Sequence, residues 1–298
     1  MSEITLRQLR YFEALMAQRH FGRAAAVCAV SQPALSMRIK ELEETLGGPL
    51  FERGPRAVRP TTLGEAVAAR VGPLLRGVEE LSDLGRASAD RLAGRLALGV
   101  IPTIAPYLLP ALVAGLRLSH PDLALVVRET RTATLLEEVA DGRLDAAILA
   151  LPVDAPGLVA VPLAEEPFLL VRPAAEADDP VPDPGALSDR LLLLEEGHCF
   201  RDQALAICGM RAAPGGLDGA SLGTLVQMVG AGLGVTLIPA MAREVEGRWD
   251  GLDLAPLPGA PPGRTVGMVW RRTTPLEARL REVAEAVRAA LPSAAPPP

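Results

Sequence analysis

Two of the chain's three cysteines, Cys199 and Cys208, lie nine residues apart in the segment EGHCFRDQALAICG. Cys199 follows an apolar run and a glycine, where a helix is expected to begin, and the N-terminus of a helix stabilises a thiolate. Three neighbours could assist it: His198 could carry or relay a proton, Arg201 could add positive charge, and Asp202 could accept a proton. Cys208 lies among apolar residues at the end of the same helix and is expected to be buried and less acidic.

This arrangement predicts stepwise thiol oxidation. A thiolate at Cys199 would attack an O–O bond and become a sulfenic acid, which Cys208 would capture as a disulfide. Nine residues of helix place the two Cα atoms about 13 Å apart, whereas a disulfide requires them within about 7 Å of each other. If the reduced segment is helical, bridging must unwind it, and the pair would be a structural switch. Two core cysteines without a redox role remain the alternative at this point.

The elements that must position these residues begin near residue 95, where apolar runs alternate with helical periodicities. The first set predicts strands at 96–101, 123–127 and 144–151 and helices at 107–118 and 134–140. The second set predicts strands at 168–171, 191–194, 234–238 and 266–270, helices at 199–208 and 222–231, and a final helix at 276–291 that packs back on the first set. Such alternation is typical of a mainly parallel α/β sheet. We expect two Rossmann-like lobes joined by crossing strands with a cleft between them, lobe I at 92–164 and 270–292 and lobe II at 165–269.

The first 60 residues predict a small all-α-rich domain with helices at 4–18, 21–30 and 31–46. Ser31 is suited to be the N-cap of the third helix, Pro33 is tolerated in its first turn, and two glycines at 47–48 would end it. The small residues Ala25 and Cys28 would let the second helix approach its neighbour closely. The pattern resembles a helix-turn-helix.

The third helix carries a polar face that could bind DNA. Gln32, Ser36 and Lys40 recur every four residues, with Pro33 beside them. Gln32 and Ser36 could read base edges in a major groove, and Lys40 could reach phosphate. A short basic loop past the helix, which could act as a phosphate-binding wing, contains Arg53, Arg56 and Arg59. The alternative is an ordinary amphipathic helix with a solvated polar face.

A long helix is predicted from Thr61 to about residue 90. Its apolar residues recur every three or four positions and its opposite face is charged, so it needs a partner and is expected to form a dimer. Pro73 cannot donate a backbone hydrogen bond, and we expect a kink or a break there. The predicted domains are therefore 1–60 (DNA binding), 61–91 (linker helix) and 92–298 (effector domain), with a disordered tail at 293–298.

Charge and composition narrow the function classes. The net charge is −6; residues 1–60 hold nine Arg and Lys against six acids, which makes that segment +3 and leaves −9 for the rest. Net positive charge in the N-terminal segment of an otherwise acidic chain suggests that only this segment contacts phosphate. Three cysteines fit a reducing cytoplasm, and neither a signal peptide nor a run of about 20 apolar residues is evident, so no membrane is expected. We expect no cofactor and no metal, and the absence of a Gly-rich phosphate loop or a second catalytic apparatus argues against an enzyme.

The run FGRAAAVCAVSQPALSMRIKELEETLG at 21–47, with LFERGPRAVRPTTLGEA at 50–66, resembles the N-terminal signature of the LysR family of transcriptional regulators. The resemblance covers essentially the whole chain. It implies a winged helix-turn-helix, a linker helix and two α/β lobes like those of periplasmic binding proteins. Carried over by match, the implied DNA contacts include Gln32, Pro33, Ser36, Arg53 and Thr61. Met37 stands where many relatives have a polar residue, so its part in base reading is in doubt.

The run GHCFRDQA at 197–204 is similar to the sensing-cysteine motif of the OxyR group, which responds to hydrogen peroxide, and Cys208 falls where the resolving cysteine lies in that group. IPTIAPYLLP at 101–110, ETRTATLL at 129–136 and RTVGMVWR at 264–271 match as well. The residues that the resemblance implies for a peroxide pocket are Thr103, Thr132, His198, Asp202 and Arg264. Two threonine hydroxyls would hold peroxide, and the arginine would favour anionic character. The stretch after Cys208 is Gly/Pro-rich and shorter than in close relatives.

The expected function is therefore redox-responsive control of oxidative-stress genes through a Cys199–Cys208 disulfide. The implied partners are double-stranded promoter DNA, hydrogen peroxide as the signal, a homotetramer built as a dimer of dimers, and RNA polymerase. Two alternatives stay open: a LysR-type regulator gated by a small metabolite in the interlobe cleft, and a thiol peroxidase.

Overall fold

The computed structural model describes residues 3–53, 58–87, 94–210, 218–259 and 262–292. The chain folds as two compact units, residues 1–85 and 86–298. The wing residue Arg56, the predicted end of the linker helix beyond Ala87 and the predicted tail at 293–298 lie outside the described residues.

The first unit is a three-helix domain with a small hairpin and a long helix. Its elements are α1 (Leu6–Gln18), α2 (Phe21–Val27), α3 (Gln32–Leu46), β1 (Phe51–Arg53), β2 (Val58–Pro60) and α4 (Thr62–Ala87). The predicted cap of α3 is confirmed, because the Ser31 side chain accepts a hydrogen bond from the Ala34 N–H and Gly47 ends the helix in a left-handed conformation. The predicted basic loop is bounded by two short antiparallel strands, β1 and β2.

Helical spacing produces the core of this unit. Leu35, Ile39 and Leu42, one stripe of α3, are fully buried and pack with Phe12 and Leu15 of α1. The polar residues of α3 are thereby left on its outer face.

Of the kink or break expected at Pro73, the break does not occur, because α4 runs from Thr62 to Ala87 with Pro73 inside it. Pro73 is exposed. The carbonyl oxygen one turn earlier, which loses its N–H partner to the proline, can bind water instead, so the helix continues.

The second unit is an α/β domain built on one mixed sheet. Its elements are β3 (Gly94–Val100), α5 (Ala105–Ser119), β4 (Leu123–Glu129), α6 (Thr132–Ala140), β5 (Ala146–Leu151), β6 (Leu158–Pro173), β7 (Leu193–Leu194), α7 (Cys199–Ile207), β8 (Asp218–Gly219), α8 (Leu222–Gly230), β9 (Thr236–Pro239), α9 (Arg243–Glu246), β10 (Leu252–Pro256), β11 (Gly263–Arg271) and α10 (Glu277–Ala290). The strand order is β10-β6-β11-β5-β3-β4, and β9 also pairs with β6. Short 3₁₀ turns lie at Ala174–Glu176, Pro184–Arg190 and Ala240–Ala242.

The expectation of a mainly parallel sheet is wrong. Among the described strands, parallel pairing is confined to β3 with β4 and β5, and β7 with β8. The two long strands β6 and β11 are antiparallel to each other and to every other strand they pair with. The physical reason is the connection between the lobes: β6 leaves the first lobe and β11 returns to it, so the two must run in opposite directions.

The crossing strands join two separate hydrophobic cores. The first, which defines lobe I, includes Leu98, Ile148 and Trp270 and is closed by α10, so the prediction that the last helix packs back on the first set is confirmed. The second core, which defines lobe II, includes Phe168 and Phe200. Within the part of the chain described, no helix has the length and apolar character needed to cross a bilayer.

Candidate functional site between the two lobes

A small pocket lies where lobe I meets lobe II. Its wall is formed by the turn between β3 and α5, the start of α6 and the start of α7, with the residues Ile101, Pro102, Thr103, Arg131, Thr132, Gly197, His198, Cys199 and Phe200. The free volume is about 10 Å³, close to what one water molecule requires. The enclosed part of the pocket is therefore about the size of one water molecule, and the pocket is partly open to solvent.

Cys199 is placed in this wall by the start of α7. It is the first residue of the helix, and its half-buried side chain packs against the core of lobe I. The preceding Gly197 has φ +91°, a conformation that favours glycine, and a Cβ there would lie 2.8 Å from Nη1 of Arg131. The turn that presents the thiol thus depends on a residue without a side chain.

His198 is the N-cap of α7 and is half-buried beside Cys199. Burial lowers the pKa of its imidazole, the charge of Arg131 lowers that pKa further, and Glu195 opposes the shift. The imidazole is therefore neutral at pH 7 and can accept a proton from a neighbouring group.

Thr103 is held by a buried arginine. Arg264 donates from Nη1 to Thr103 Oγ1 at 2.7 Å and from Nη2 to the Thr103 carbonyl at 3.0 Å, while its Nε donates to Glu166 at 2.8 Å. Glu166 in turn accepts from the Met241 N–H at 2.9 Å. Arginine can only donate hydrogen bonds, so the Thr103 hydroxyl is the acceptor in this contact. Its own proton is therefore available for donation to another group.

This network changes the role expected of Arg264. The residue is 3 % exposed, pairs with the carboxylate of Glu166 and is not among the described residues that line the pocket. Its charge is therefore balanced inside the protein, and what it supplies to the pocket is the orientation of the Thr103 hydroxyl.

Thr132 provides the second hydroxyl. Its Oγ1 is buried, and no described residue forms a hydrogen bond with it. The usual role of a threonine at a helix start is capping, but the N-cap of α6 is Arg131 and that of α5 is Ile104. A buried hydroxyl left without a partner costs about 1–3 kcal/mol, so its presence in the pocket wall marks a position where a ligand can compensate that cost.

Asp202 and Arg201 are not brought into the pocket. Asp202 is exposed on the first turn of α7 and is absent from the described lining. Arg201 is buried, and its Nη1 donates to the Leu194 carbonyl and, at 2.9 Å, to Asp218 Oδ1. The guanidinium thus ties α7 to the β7–β8 pair instead of adding charge at Cys199.

Cys208 lies at the other end of α7, as the C-cap, and is 4 % exposed within the core of lobe II. Burial raises the pKa of its thiol. All three cysteines fall in described parts of the chain and are free thiols. The prediction that the resting segment is helical is confirmed, and the intact helix keeps the two Cα atoms about 13 Å apart.

The helix-turn-helix presents the predicted polar face. Gln32, Pro33 and Lys40 are exposed and Ser36 is half-buried on the outer side of α3, where Lys40 Nζ lies 3.6 Å from Glu44. Met37 shares this face and is 54 % exposed. The five side chains can therefore reach a groove together.

Three further predicted DNA contacts lie outside α3. The Thr61 hydroxyl donates to the Pro49 carbonyl at 2.7 Å and accepts from the Gly64 N–H at 3.0 Å, so it fastens the hairpin to the start of α4. Arg53 is the last residue of β1, and the structure describes its backbone but not its side chain. Arg59, on β2, is exposed.

Models of two families match the chain: the bacterial regulatory helix-turn-helix protein of the lysR family at residues 6–65, and the LysR substrate binding domain at 89–292. The DNA-binding transcriptional dual regulator OxyR of Escherichia coli is 40% identical over 294 residues, which span 96% of this chain and 95% of that protein. A probable hydrogen peroxide-inducible genes activator of Streptomyces viridosporus is 42% identical over 96% of this chain and 94% of its own. The chain belongs to the OxyR group of the LysR family.

Solved OxyR structures share the fold. A full-length OxyR from Pseudomonas aeruginosa, in which one cysteine is replaced by aspartate, superposes with a TM-score of 0.78 at 37% identity, over 98% of this chain and all of the other. A hydrogen peroxide-bound OxyR from Corynebacterium glutamicum, in which one cysteine is replaced by serine, gives 0.66 at 34% identity, over 97% and 92% of the two chains. The expected architecture, an N-terminal helix-turn-helix domain with a two-lobed α/β domain, is therefore confirmed.

The sequence reading of this OxyR-group chain missed three charged residues at the site: Arg131, Glu195 and Glu166. Arg131 lies inside the quoted run ETRTATLL, but nothing local distinguishes it from any exposed arginine. Glu166 is buried in β6 next to its partner on β11, a pairing across 98 residues of sequence. In the described ranges, no group of three or more His, Cys, Asp or Glu side chains is arranged to hold a metal.

Proposed function

We propose that this chain is a DNA-binding transcription regulator that senses hydrogen peroxide through Cys199 and a Cys199–Cys208 disulfide, and that it activates oxidative-stress genes. The feature that carries this function is the pocket: it has room for one very small molecule, two threonines line it, the buried hydroxyl of one of them has no hydrogen bond from a described residue, and Cys199 lies in the wall. A DNA-binding protein with free thiols is expected to work in the reducing cytoplasm.

In the proposed reaction, Thr103 donates a hydrogen bond to one peroxide oxygen and Thr132 bonds the other. The Cys199 sulfur attacks the nearer oxygen, the S–O bond forms as the O–O bond breaks, and the distal oxygen leaves as water after taking the proton that the thiol gave up. The neutral His198 can relay that proton. The products are a sulfenic acid and one water molecule.

The second step forms the disulfide. The Cys208 sulfur attacks the sulfenic sulfur, an S–S bond replaces the S–O bond, and the hydroxyl leaves as water with the Cys208 proton. Because the two cysteines lie at opposite ends of an intact helix, α7 must unwind and Cys208 must leave the core of lobe II. Burial keeps Cys208 protonated at rest, which suits a group that reacts only after this rearrangement.

The rearrangement is proposed to act through assembly. Unwinding α7 would change the surface of the effector domain, and thereby how the domains pair in a homotetramer of two linker-helix dimers. The spacing of the helix-turn-helix units on promoter DNA, and their contact with RNA polymerase, would change with it. In this scheme Gln32, Pro33 and Ser36 read the groove, Lys40, Arg53 and Arg59 contact phosphate, and Thr61 holds the hairpin against the start of α4.

Two observations disfavour a metabolite as the signal. The enclosed space of this pocket is much smaller than a molecule of ordinary metabolite size. Between the lobes, Tyr107 contacts both cores and donates to the buried Glu246 at 2.7 Å, and Arg264 and Glu166 occupy a second buried position. A thiol peroxidase would need steady turnover, whereas the proposed regulator reacts once and waits for a separate reductant.

Mass spectrometry of tryptic peptides after one equivalent of hydrogen peroxide tests this function. We expect a linked Cys199–Cys208 species in the full-length protein and in the matched control Cys28→Ser, and none in Cys208→Ser. DNA footprints recorded on the same samples should change with peroxide in the first two proteins and stay unchanged in the third. If Cys208→Ser still switches its footprint normally, the disulfide is not the trigger.

A further inference from the structure

Arg131 differs from the other residues of the pocket wall. Ile101, Thr103 and Phe200 are buried to within a few per cent, and Thr103 is also held by Arg264. The Arg131 side chain is 48% exposed, and it is the N-cap residue of α6. The inner wall is thus fixed by the cores of the two lobes, whereas on the solvent side the wall includes one long, half-exposed side chain beside the exposed Gly197.

Two contacts from lobe II hold this side chain across the pocket. The guanidinium lies against the backbone of Gly197, since a Cβ built there would come within 2.8 Å of Nη1, 3.2 Å of Cδ and 3.4 Å of Cζ. Nη2 lies 3.6 Å from Glu195 Oε2. Arg131 therefore extends from lobe I over the turn that carries Cys199, next to the free volume of the pocket.

We propose that Arg131 sets which peroxides reach Cys199, because its side chain, laid on Gly197, closes the outer wall to hydroperoxides that carry a bulky alkyl group. Hydrogen peroxide fits without displacing it. An alkyl hydroperoxide must push the guanidinium away from Gly197 and Glu195. This inference rests on the proposed function, since it concerns the selectivity of the same thiol.

Steric exclusion by a pocket wall changes relative rates by about 10- to 200-fold. Replacing Arg131 by alanine removes more heavy atoms from the wall than a tert-butyl group adds. We therefore expect the main effect of Arg131→Ala on the bulky substrate, at the step Cys199–SH + ROOH → Cys199–SOH + ROH, with a much smaller effect on hydrogen peroxide.

The test uses full-length protein in the Cys208→Ser background, so that the reaction stops at the sulfenic acid. The second-order rate constant of sulfenic acid formation is measured with hydrogen peroxide and with tert-butyl hydroperoxide. The expected result is that Arg131→Ala lowers the preference for hydrogen peroxide by about tenfold or more, mainly by raising the tert-butyl hydroperoxide rate. Arg131→Met removes the charge and keeps the side chain only as far as the position of Nε, so its ratio should lie between those of the parent and Arg131→Ala.

The possible outcomes distinguish a failure of the Arg131 proposal from a failure of the proposed peroxide-sensing function. If the parent reacts with hydrogen peroxide but Arg131→Ala keeps the parental ratio, Arg131 is not the selectivity residue and the peroxide-sensing function stands. If Arg131→Met loses selectivity as fully as Arg131→Ala, charge and not bulk controls entry, which overturns the steric proposal. If the parent reacts with hydrogen peroxide no faster than a free cysteine, the proposed function itself fails. A partly unfolded variant would lose the preference through a slower reaction with hydrogen peroxide, so the proposal requires that the tert-butyl hydroperoxide rate rises, and a lower ratio without that rise overturns it.

Discussion

Asp218→Asn should make the protein easier to oxidise. Arg201, two residues after Cys199, donates to Asp218 and to the Leu194 carbonyl, and both acceptors belong to the β7–β8 pair. This contact fixes the first turn of α7 in the helical, reduced form. Since disulfide formation requires α7 to unwind, we expect the contact to be absent or weaker in the oxidised form, so that it stabilises the dithiol selectively.

The exposure of the pair sets the size of the effect. Arg201 Nη1 and Asp218 Oδ1 are 2.9 Å apart, and the two side chains are 10% and 40% exposed. A hydrogen bond between charged groups contributes about 1.5–3 kcal/mol when buried and an exposed ion pair about 0–1 kcal/mol. Asparagine can still accept the hydrogen bond, so the substitution removes only the contribution of the charge, which is about 1 kcal/mol. That corresponds to about fivefold in the ratio of disulfide to dithiol, or about 20 mV toward more negative midpoint potential for a two-electron couple.

The assay is equilibration in glutathione buffers of graded redox potential, followed by quantification of free thiols. Glu176→Gln is the matched control, because it removes a partly exposed carboxylate that pairs with Arg190 in the same lobe, away from α7. The midpoint of the control should equal that of the parent. If Asp218→Asn moves the midpoint no more than Glu176→Gln does, or moves it toward less negative values, the contact does not hold the reduced state.

Three further outcomes are expected. Thr132→Val should raise the free energy of unfolding by about 1 kcal/mol, because it removes a buried hydroxyl for which the described residues offer no hydrogen bond. It should also slow Cys199 oxidation by about tenfold, because one hydrogen bond to the reacting peroxide is lost. Denaturant titration measures the first effect and peroxide kinetics the second, and a normal oxidation rate would contradict the role of the hydroxyl. His198 has a pKa below its ordinary value, so as the pH falls the unfolded chain binds a proton at this residue before the folded chain does. The contribution of His198 to stability is therefore present above about pH 6.5 and is lost as the pH falls below that value. His198→Gln should lose less stability than the parent between pH 7 and pH 5, and equal losses would argue against the pKa shift. Gln32→Ala should cost about 1–3 kcal/mol of DNA-binding free energy and relax the sequence preference at one base pair. Arg59→Ala should weaken binding to all sequences and reduce the slope of log binding constant against log salt concentration by about one. Electrophoretic mobility shifts at several salt concentrations distinguish the two effects.

Local chemistry accounts for the parts of the molecule that the sequence predicts well. The start of α3 depends on the hydroxyl of Ser31, its end on Gly47, and its buried face on a spacing of three and four residues, all within one short segment. The same holds for α7, whose helical state already implies that Cys199 and Cys208 are too far apart to bond.

The long-range features were predicted less well. The sheet was expected to be mainly parallel because alternation along the chain shows the order of strands and not the direction in which β6 and β11 cross between lobes. The uninterrupted course of α4 through Pro73 depends on which side of the helix faces water.

By itself, the sequence determined which residues could do chemistry: a thiol at a helix start, a second thiol one helix away, and a histidine beside the first. The tertiary structure decided how that chemistry is arranged. It joins Arg264 to Thr103 across 161 residues and balances the arginine with Glu166, it turns Asp202 to solvent, and it lays Arg131 over Gly197 at the mouth of the pocket. The physical reason is that a cap or a helical stripe needs only neighbouring residues, whereas a pocket exists only where distant segments meet in the folded chain.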